Sequence, residues 1–290
     1  MKDIKGFCKL MDINIPNYEY FDYYIDQLSK TNRWKDIRNM IDLYEKSEEL
    51  YDDLYELRYK KSNEIIDYLK KTRAYNDLIY DNLLPDYPVT KNFQYDESKK
   101  YISIDINKAN WVALKKYDPD FENSLGNSYE EFIDKFDVPE IFNHSKQLRQ
   151  YIFGNINPKR QGKVQRDIIQ KLLDDFSYLN LEVSCVKNDE VIYSFDSFDQ
   201  ISDLLNKVDK KLFKIKLFTV KRIEDFRINT YLSENAEELY SEMVGSNGNL
   251  FYLNLKKYIL NEPIDIRDLF FRMDGNLAIW YMDNLKITMG

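Results

Sequence analysis

Two runs of β-forming residues, 181–186 and 190–195, stand on either side of a Lys-Asn-Asp turn in "LEVSCVKNDEVIYSF". Asn and Asp favour tight turns, so this stretch predicts a β-hairpin. A hairpin constrains a fold strongly because it makes two neighbouring strands antiparallel and places their turn at one edge of a sheet. The turn carries two adjacent carboxylates, Asp189 and Glu190. These are either ordinary polar turn residues or ligands that the turn presents to a cation.

Alternating apolar and polar residues predict two further strands around the hairpin. "YISIDI" at 101–106 places three isoleucines on one face and ends close to Asp105, and "LFKIKLFTV" at 212–220 alternates in the same way. Helices are predicted between these strands, at 107–116, after the capping box at Ser128, at 163–176 and after the "SFDQ" cap at Ser197. This order predicts an α+β fold with a ferredoxin-like β-α-β-β-α-β core, also called the split βαβ arrangement.

The predicted topology brings acidic residues together. In a ferredoxin-like sheet the first and third strands are neighbours, so the end of the first strand lies beside the hairpin turn. We therefore expect Asp105 to approach Asp189 and Glu190. Three carboxylates in one place repel one another unless cations lie between them. Because such oxygen ligands suit Mg²⁺ or Mn²⁺, we predict a catalytic site in which Asp105 and Asp189 hold the metal and Glu190 is a further carboxylate.

A basic segment follows the first strand. The chain has a net charge of −8, which argues against indiscriminate coating of nucleic acid. Residues 145–166 are the exception, since they contain six Lys and Arg residues and no acid. We predict that Arg149, Lys159, Arg160 and Lys163 contact phosphates, and the alternative is an ordinary solvated helix face.

The acids and the basic segment together resemble the palm domain of nucleic-acid polymerases, nearest to family A DNA polymerases. "DINKANW", from Asp105, is similar to motif A, Asp-x-Ser-Gln-x-Glu, and "VKNDEVIYSF" is similar to motif C, His-Asp-Glu before a strand. Between them, Arg149, Phe153 and Gly154 in "RQYIFG" resemble the fingers-helix pattern Lys-x-x-x-Phe-Gly. The chain departs from the family at several positions, for example at Asn188, where the family has His.

The resemblance implies a nucleotidyltransferase that extends a nucleic acid strand from nucleoside triphosphates, with Mg²⁺ or Mn²⁺ in a two-metal site. It also implies that Arg149 contacts the triphosphate and that the ring of Phe153 meets the incoming nucleotide. Two alternatives stay open. One is a non-catalytic nucleic-acid-binding protein that stacks bases on a sheet face through Tyr101, Tyr193 and Phe195. The other is a virus or phage interaction protein in which the acids are only turn residues.

Three regions are predicted along the chain. Residues 1–90 have a helical pattern and suit helical hairpins, with binding of a protein partner as one interpretation. Residues 91–225 form the palm-like core. Residues 226–290 are predicted to be β-rich, because aromatic runs such as "NLFYLNLKKYIL" are strand-like and Asp274-Gly275 is a strong hairpin turn.

The remaining composition excludes several classes of protein. The chain has two cysteines, far apart in sequence, and one histidine, His144, so a His/Cys metal cluster cannot be built within it. The sequence shows no apolar signal core and no apolar run of about 18 residues, which predicts a cytoplasmic protein without membrane spans. Heavy use of Asn, Lys, Ile, Tyr and Asp is typical of an AT-rich genome, such as that of a virus or phage.

Overall fold

The computed structural model describes residues 3–31, 33–47, 51–72, 86–90, 92–117, 126–156, 158–223, 226–245, 249–273, 276–281 and 286–289. The α-helices in these ranges are α1 (Ile4–Met11), α2 (Phe21–Ser29), α3 (Ile37–Lys46), α4 (Tyr51–Leu69), α5 (Ala109–Tyr117), α6 (Tyr129–Asp134), α7 (Lys146–Gly154), α8 (Pro158–Asp175), α9 (Ser202–Lys207) and α10 (Leu250–Ile259). The strands are β1 (Lys100–Ile106), β2 (Glu182–Val186), β3 (Glu190–Phe195), β4 (Phe213–Ile223), β5 (Phe226–Leu232), β6 (Glu238–Met243), β7 (Phe270–Met273), β8 (Asn276–Tyr281) and β9 (Lys286–Met289). None of the described helices combines the length and the apolar character that a membrane crossing requires.

An open six-stranded sheet has the strand order β2-β3-β1-β4-β5-β6. Strand β1 is antiparallel to both of its neighbours, β3 and β4, and β2 is antiparallel to β3. A second, three-stranded sheet has the order β7-β8-β9. The prediction of a mixed helix and strand fold around an antiparallel sheet is confirmed at this level.

The two faces of β1 have different surroundings because side chains alternate along a strand. Ile102, Ile104 and Ile106 are buried in a large apolar cluster that also contains Ile168 and Leu172 of α8. This cluster fills the space between α8 and the sheet. The core of the fold therefore holds α8 over β1 and β3.

The opposite face of β1 begins apolar and ends polar. Tyr101 stacks on Phe218 with ring centroids 5.6 Å apart, and Phe93 meets Tyr101 edge-on. Two residues further along the strand is Ser103, and two beyond that is Asp105. The apolar cover of this face thus lies at the start of β1, and the polar residues lie towards its end.

Local signals account for several helix boundaries. The Ser128 side chain accepts a hydrogen bond from Glu131 N at 3.1 Å and caps α6, as the sequence predicts. Ser197 and Gln200 form a capping box before α9. Helix α8 begins at Pro158, earlier than the predicted residue 163. Proline is well tolerated at a first helical position, because its missing N–H has no intrahelical partner there.

The prediction of a strand in "NLFYLNLKKYIL" is wrong, since these residues form helix α10. The Asn249 side chain accepts from Phe251 N at 2.9 Å and caps the helix. Leu250, Asn254 and Leu255 are buried on one side, which is helical spacing. Strands β5 to β9 do lie in the C-terminal region, and the predicted Asp274-Gly275 turn lies outside the described residues.

The chain divides into two compact units. The first unit comprises residues 1–56, 221–230 and 240–290, and the second comprises residues 57–220 and 231–239. All residues predicted to act in catalysis or phosphate binding belong to the second unit. The three-region organisation inferred from the sequence stays a prediction.

Candidate functional site

Asp105 lies between an acidic and a basic neighbour near the end of β1. It lies directly opposite Glu190 of β3 on one side and directly opposite Lys214 of β4 on the other. Directly opposed residues in antiparallel strands direct their side chains to the same face of the sheet. The register therefore gathers Asp105, Glu190 and Lys214 on the polar end of this face.

The hairpin turn between β2 and β3 lies directly beside Asp105. Ile106 N donates to Asp189 O at 2.8 Å, and Lys187 N donates to Glu190 O at 2.7 Å to close the turn. Residue 189 thus extends the backbone pairing of β1 by one further hydrogen bond. The sequence predicted that the turn lies beside Asp105, because the first and third strands are neighbours in a ferredoxin-like sheet.

Helix α8 holds the tip of the hairpin. Arg166 Nε donates to Asn188 Oδ1 at 2.7 Å. A Cβ at Gly162 would stand 3.4 Å from Asn188 Nδ2, which is about van der Waals contact, so the tip of the turn lies against this part of the helix. The residue before Asp189 is consequently fixed by a charge-assisted hydrogen bond from the helix.

Asp105 has a strongly perturbed acidity. Burial, and after it the negative charges of Asp189 and Glu190, raise the pKa of Asp105 to about 6, although Lys216 and Lys214 act in the opposite direction. An acid surrounded in this way changes its charge near neutral pH. Perturbed groups of this kind concentrate at functional sites, although structural networks also produce them.

Glu190 is engaged within the protein. Ser103 Oγ donates to Glu190 Oε1 at 2.5 Å, and Lys187 Nζ donates to Glu190 Oε2. Ser103 is buried, so its hydroxyl is oriented by Glu190 and is not exposed to a ligand. In this conformation Glu190 organises the turn, and Asp105 and Asp189 are left as the two acids of the predicted metal site.

The carboxylates at the end of β1 offer a divalent cation few protein ligands. Within the described residues, no group of three or more His, Cys, Asp or Glu side chains is arranged to hold a metal ion. Mg²⁺ in proteins is often held by one or two carboxylates, with its other ligands supplied by water and substrate phosphates. Asp105 and Asp189 supply the two carboxylates that such a site needs. A bound cation would also relieve the repulsion between their negative charges.

The residues of the basic segment have different surroundings. Lys159 is exposed, and Lys163 forms an ion pair with Asp86 at 3.7 Å. Arg149 donates to Asn143 O at 3.2 Å. Arg160 is only 2% exposed, so its guanidinium faces the protein interior and is not available to strand phosphates in this conformation.

Phe153 packs inside the second unit. Its side chain is 2% exposed, and its ring lies 6.1 Å from that of Tyr129. A ring that stacks on an incoming nucleotide must be reachable from solvent. The structure therefore favours a packing role for Phe153, in place of the nucleotide contact that the resemblance implies.

Base stacking on the sheet also requires exposed rings. Tyr101 is 1% exposed, Tyr193 4% and Phe195 2%. The first lies in the small cluster around Phe218, and the other two lie in the core under α8. These three rings are therefore core residues in this conformation.

Sequence reasoning did not assign three basic residues to this site, namely Lys214, Lys216 and Arg166. The alternation in "LFKIKLFTV" shows that the two lysines share a face of β4. Only the pairing of β4 with β1 shows that this face is also the face of Asp105. Comparisons of the chain with family models, with curated proteins and with solved structures each found no match.

Proposed function

We propose that this protein is a palm-type nucleotidyltransferase that extends a nucleic acid strand, with Mg²⁺ or Mn²⁺ held by Asp105 and Asp189. The observation behind the proposal is the position of Asp105, which lies beside the hairpin acids and has a pKa of about 6. The strand order β2-β3-β1-β4 is also the order of a ferredoxin-like core, the topology of polymerase palms. The motif resemblance around Asp105 and Asp189 adds further support.

The proposed chemistry needs an ionised Asp105. Divalent cations at such a site would activate a 3'-hydroxyl and stabilise the pyrophosphate leaving group. Because cation binding requires the carboxylate, the cation and a proton compete for Asp105. The pKa of Asp105 is about 6 without a cation, and a bound cation lowers it, so activity should rise with increasing pH and reach its plateau by about pH 6.

Lysines near the carboxylates suit an anionic substrate. Lys214 and Lys216 lie on the strand next to Asp105, and Lys159 is exposed at the start of α8. Ammonium groups bind phosphate oxygens as compact charges. In the proposed complex Lys163 would exchange its ion pair with Asp86 for a phosphate contact.

Primer extension tests the proposal. The wild-type protein, Asp105→Asn and Asp189→Asn are incubated with labelled nucleoside triphosphates, primed DNA or RNA templates, and Mg²⁺ or Mn²⁺. Glu238→Gln, at an exposed strand position of the second unit, is the matched control. We expect incorporation by the wild type and the control and none by the two Asp variants, because loss of a ligand charge removes metal affinity. Undiminished incorporation by both Asp variants would exclude the assigned metal ligands.

Metal binding is measured separately, so that a wrong choice of template does not decide the question. Titration calorimetry with Mn²⁺ should give a site in the wild type that is lost in Asp105→Asn. If the wild type binds no Mn²⁺ and incorporates no nucleotide, the nucleotidyltransferase assignment is rejected.

A non-catalytic nucleic-acid-binding role is the second candidate, because the exposed Lys159 and the lysines of β4 would bind a strand without any chemistry. Binding of a labelled strand is then measured against salt concentration for Lys159→Ala and Lys163→Ala. Each lost phosphate contact should reduce the slope by about one unit. An unchanged slope in both variants would identify this segment as an ordinary solvated face.

A further inference from the structure

Glu190 has both of its carboxylate oxygens engaged, and the two partners differ in exposure. Ser103 Oγ donates to Oε1 at 2.5 Å, and the Lys187 ammonium donates to Oε2. Ser103 is 2% exposed, so its hydroxyl is fixed inside the fold. The Lys187 side chain is 53% exposed, whereas that of Glu190 is 18% exposed. The contact with Lys187 is therefore the one that can open towards solvent.

The turn tethers Lys187 beside Glu190. Lys187 N donates to Glu190 O at 2.7 Å, and this hydrogen bond closes the hairpin turn. The ammonium group is joined to this fixed backbone by a flexible four-carbon stem. It can consequently leave Glu190 for solvent while the backbone of the turn keeps its hydrogen bond.

The ammonium of Lys187 offsets negative charge at a place where three acids are close together. Asp105 lies directly opposite Glu190 in the register of β1 and β3. After burial, the charges of Asp189 and Glu190 are the next causes that raise the pKa of Asp105. Carboxylates this close repel one another, and a cation beside them relieves the repulsion. In the metal-free protein, Lys187 supplies that positive charge to Glu190.

A divalent cation held by Asp105 and Asp189 would compete with this ammonium group. Both cations carry positive charge and both bind carboxylate oxygens, so each weakens the binding of the other. They compete for Glu190 Oε2, because Oε1 is already engaged by the buried hydroxyl of Ser103.

We propose that Lys187 is an internal counter-ion, which holds Glu190 in the metal-free protein and is displaced when a divalent cation binds the neighbouring acids. Displacement frees Glu190 Oε2 for the cation, while Ser103 keeps Oε1 in place. Lys187 thereby lowers the affinity of the site for metal and stabilises the hairpin when metal is absent. The inference rests on the proposed function, because it needs a cation at Asp105 and Asp189.

A double-mutant cycle on Mn²⁺ affinity tests the proposal. Titration calorimetry compares the full-length wild type with Lys187→Gln, Glu190→Gln and the double variant. Glutamine at position 190 loses the charge but keeps an oxygen that can accept from Ser103. We expect Lys187→Gln to bind Mn²⁺ about five-fold more tightly than the wild type. In the Glu190→Gln background the same substitution should change the affinity by less than about two-fold, because the ammonium then lies in solvent and is screened.

Lys216→Gln is the matched control, since it removes one positive charge from the same face of the sheet. Lys216 lies directly opposite Ser103 on β4, and its charge opposes the upward shift in the pKa of Asp105. Its substitution should raise the Mn²⁺ affinity by the same factor with and without the Glu190→Gln change. The reason is that the oxygens of Glu190 are held by Ser103 and Lys187.

Urea unfolding in the presence of a chelator gives a readout that needs no metal. Lys187→Gln should lower the urea midpoint of the second unit, because it leaves the largely buried Glu190 without its counter-ion. The double variant should regain most of that loss, since the uncompensated charge is then absent.

Equal Mn²⁺ affinity of Lys187→Gln and the wild type would overturn the proposal. It would also be overturned by a gain in affinity that is the same in both Glu190 backgrounds, since Lys187 would then act only as a distant charge. A urea midpoint that Lys187→Gln leaves unchanged would show that Lys187 does not hold Glu190 in the metal-free protein. In these cases the wild type still binds Mn²⁺ and the proposed metal site stands. Absence of Mn²⁺ binding in the wild type and in every variant would reject the proposed metal site, and this inference with it.

Discussion

Replacing Asp105 by asparagine is expected to make the protein more stable at about pH 8 and inactive in primer extension. Burial and the neighbouring acids raise the pKa of Asp105 from 3.8 to about 6, so the ionised form is less favourable in the folded protein than in the unfolded chain. At about 1.36 kcal/mol per pKa unit, this shift corresponds to about 3 kcal/mol. Because the side chain is partly accessible to solvent, screening reduces the expected gain in the free energy of unfolding to about 1 to 3 kcal/mol.

The pH dependence follows from the direction of the shift. Well below the unfolded value of 3.8, Asp105 is protonated in both states and resembles asparagine. As the pH rises from 3.8 to about 6, the unfolded chain releases the proton and the folded protein retains it, so the wild type loses stability. Above that range the loss is complete. The stability difference between Asp105→Asn and the wild type should therefore be near zero at low pH and reach a plateau above about pH 6.

Urea unfolding at several pH values measures this difference. Trp111 is the one of the three tryptophans that belongs to the second unit, which contains Asp105, and it stacks on Phe132 with ring centroids 5.2 Å apart. Its share of the fluorescence change reports on that unit. The buffer contains a chelator, because a bound cation would stabilise the ionised wild type by linkage. Glu238→Gln, which removes an exposed acid, is the control. The stability difference between this variant and the wild type should not change with pH.

Equal stability of Asp105→Asn and the wild type at about pH 8 would refute the electrostatic reasoning. Added Mg²⁺ or Mn²⁺ should stabilise the wild type and not the variant. A variant that is more stable and still incorporates nucleotides would leave the electrostatic reasoning intact and remove Asp105 from the proposed catalytic site.

Phe153→Ala should lower the free energy of unfolding by about 3 to 5 kcal/mol through the cavity it creates, and a urea midpoint equal to that of the wild type would show that the ring is not part of the core. Arg166→Ala removes the hydrogen bond that holds Asn188 and should reduce nucleotide incorporation per folded molecule, and Arg166→Lys should recover part of the activity. Equal activity in the wild type and both variants would contradict this positioning role. Asp268 is 3% exposed and pairs with Lys257 at 2.8 Å, so Asp268→Ala should destabilise the first unit by about 3 to 5 kcal/mol in thermal unfolding. A fall of less than about 1 kcal/mol would mean that the buried pair contributes little.

Local patterns in the sequence were sufficient for much of the second unit. Alternation identified β1 and β4, the Lys-Asn-Asp turn between two runs of β-forming residues identified the hairpin of β2 and β3, and Ser128 and Ser197 marked helix starts. Each of these signals depends on neighbouring residues in the chain. The same reasoning failed for residues 249–260, where closely spaced aromatic and apolar residues fit either a strand or a helix. In the helix, Asn254 Nδ2 donates a buried hydrogen bond to Asp268 O at 2.7 Å, a contact between residues 14 positions apart.

Some features of the candidate site likewise follow from the local sequence, and others follow only from the tertiary structure. The sequence by itself determined that Asp105 ends a strand and that Asp189 occupies a turn, because chain position and turn chemistry are local properties. Only the tertiary structure decided that Glu190 is held by Ser103 and that Lys214 pairs opposite Asp105. It also decided that Phe153 and Arg160, two of the predicted nucleotide-binding residues, are buried. Strand register and burial arise from contacts between residues far apart in the chain, and the acidity of Asp105 depends on both.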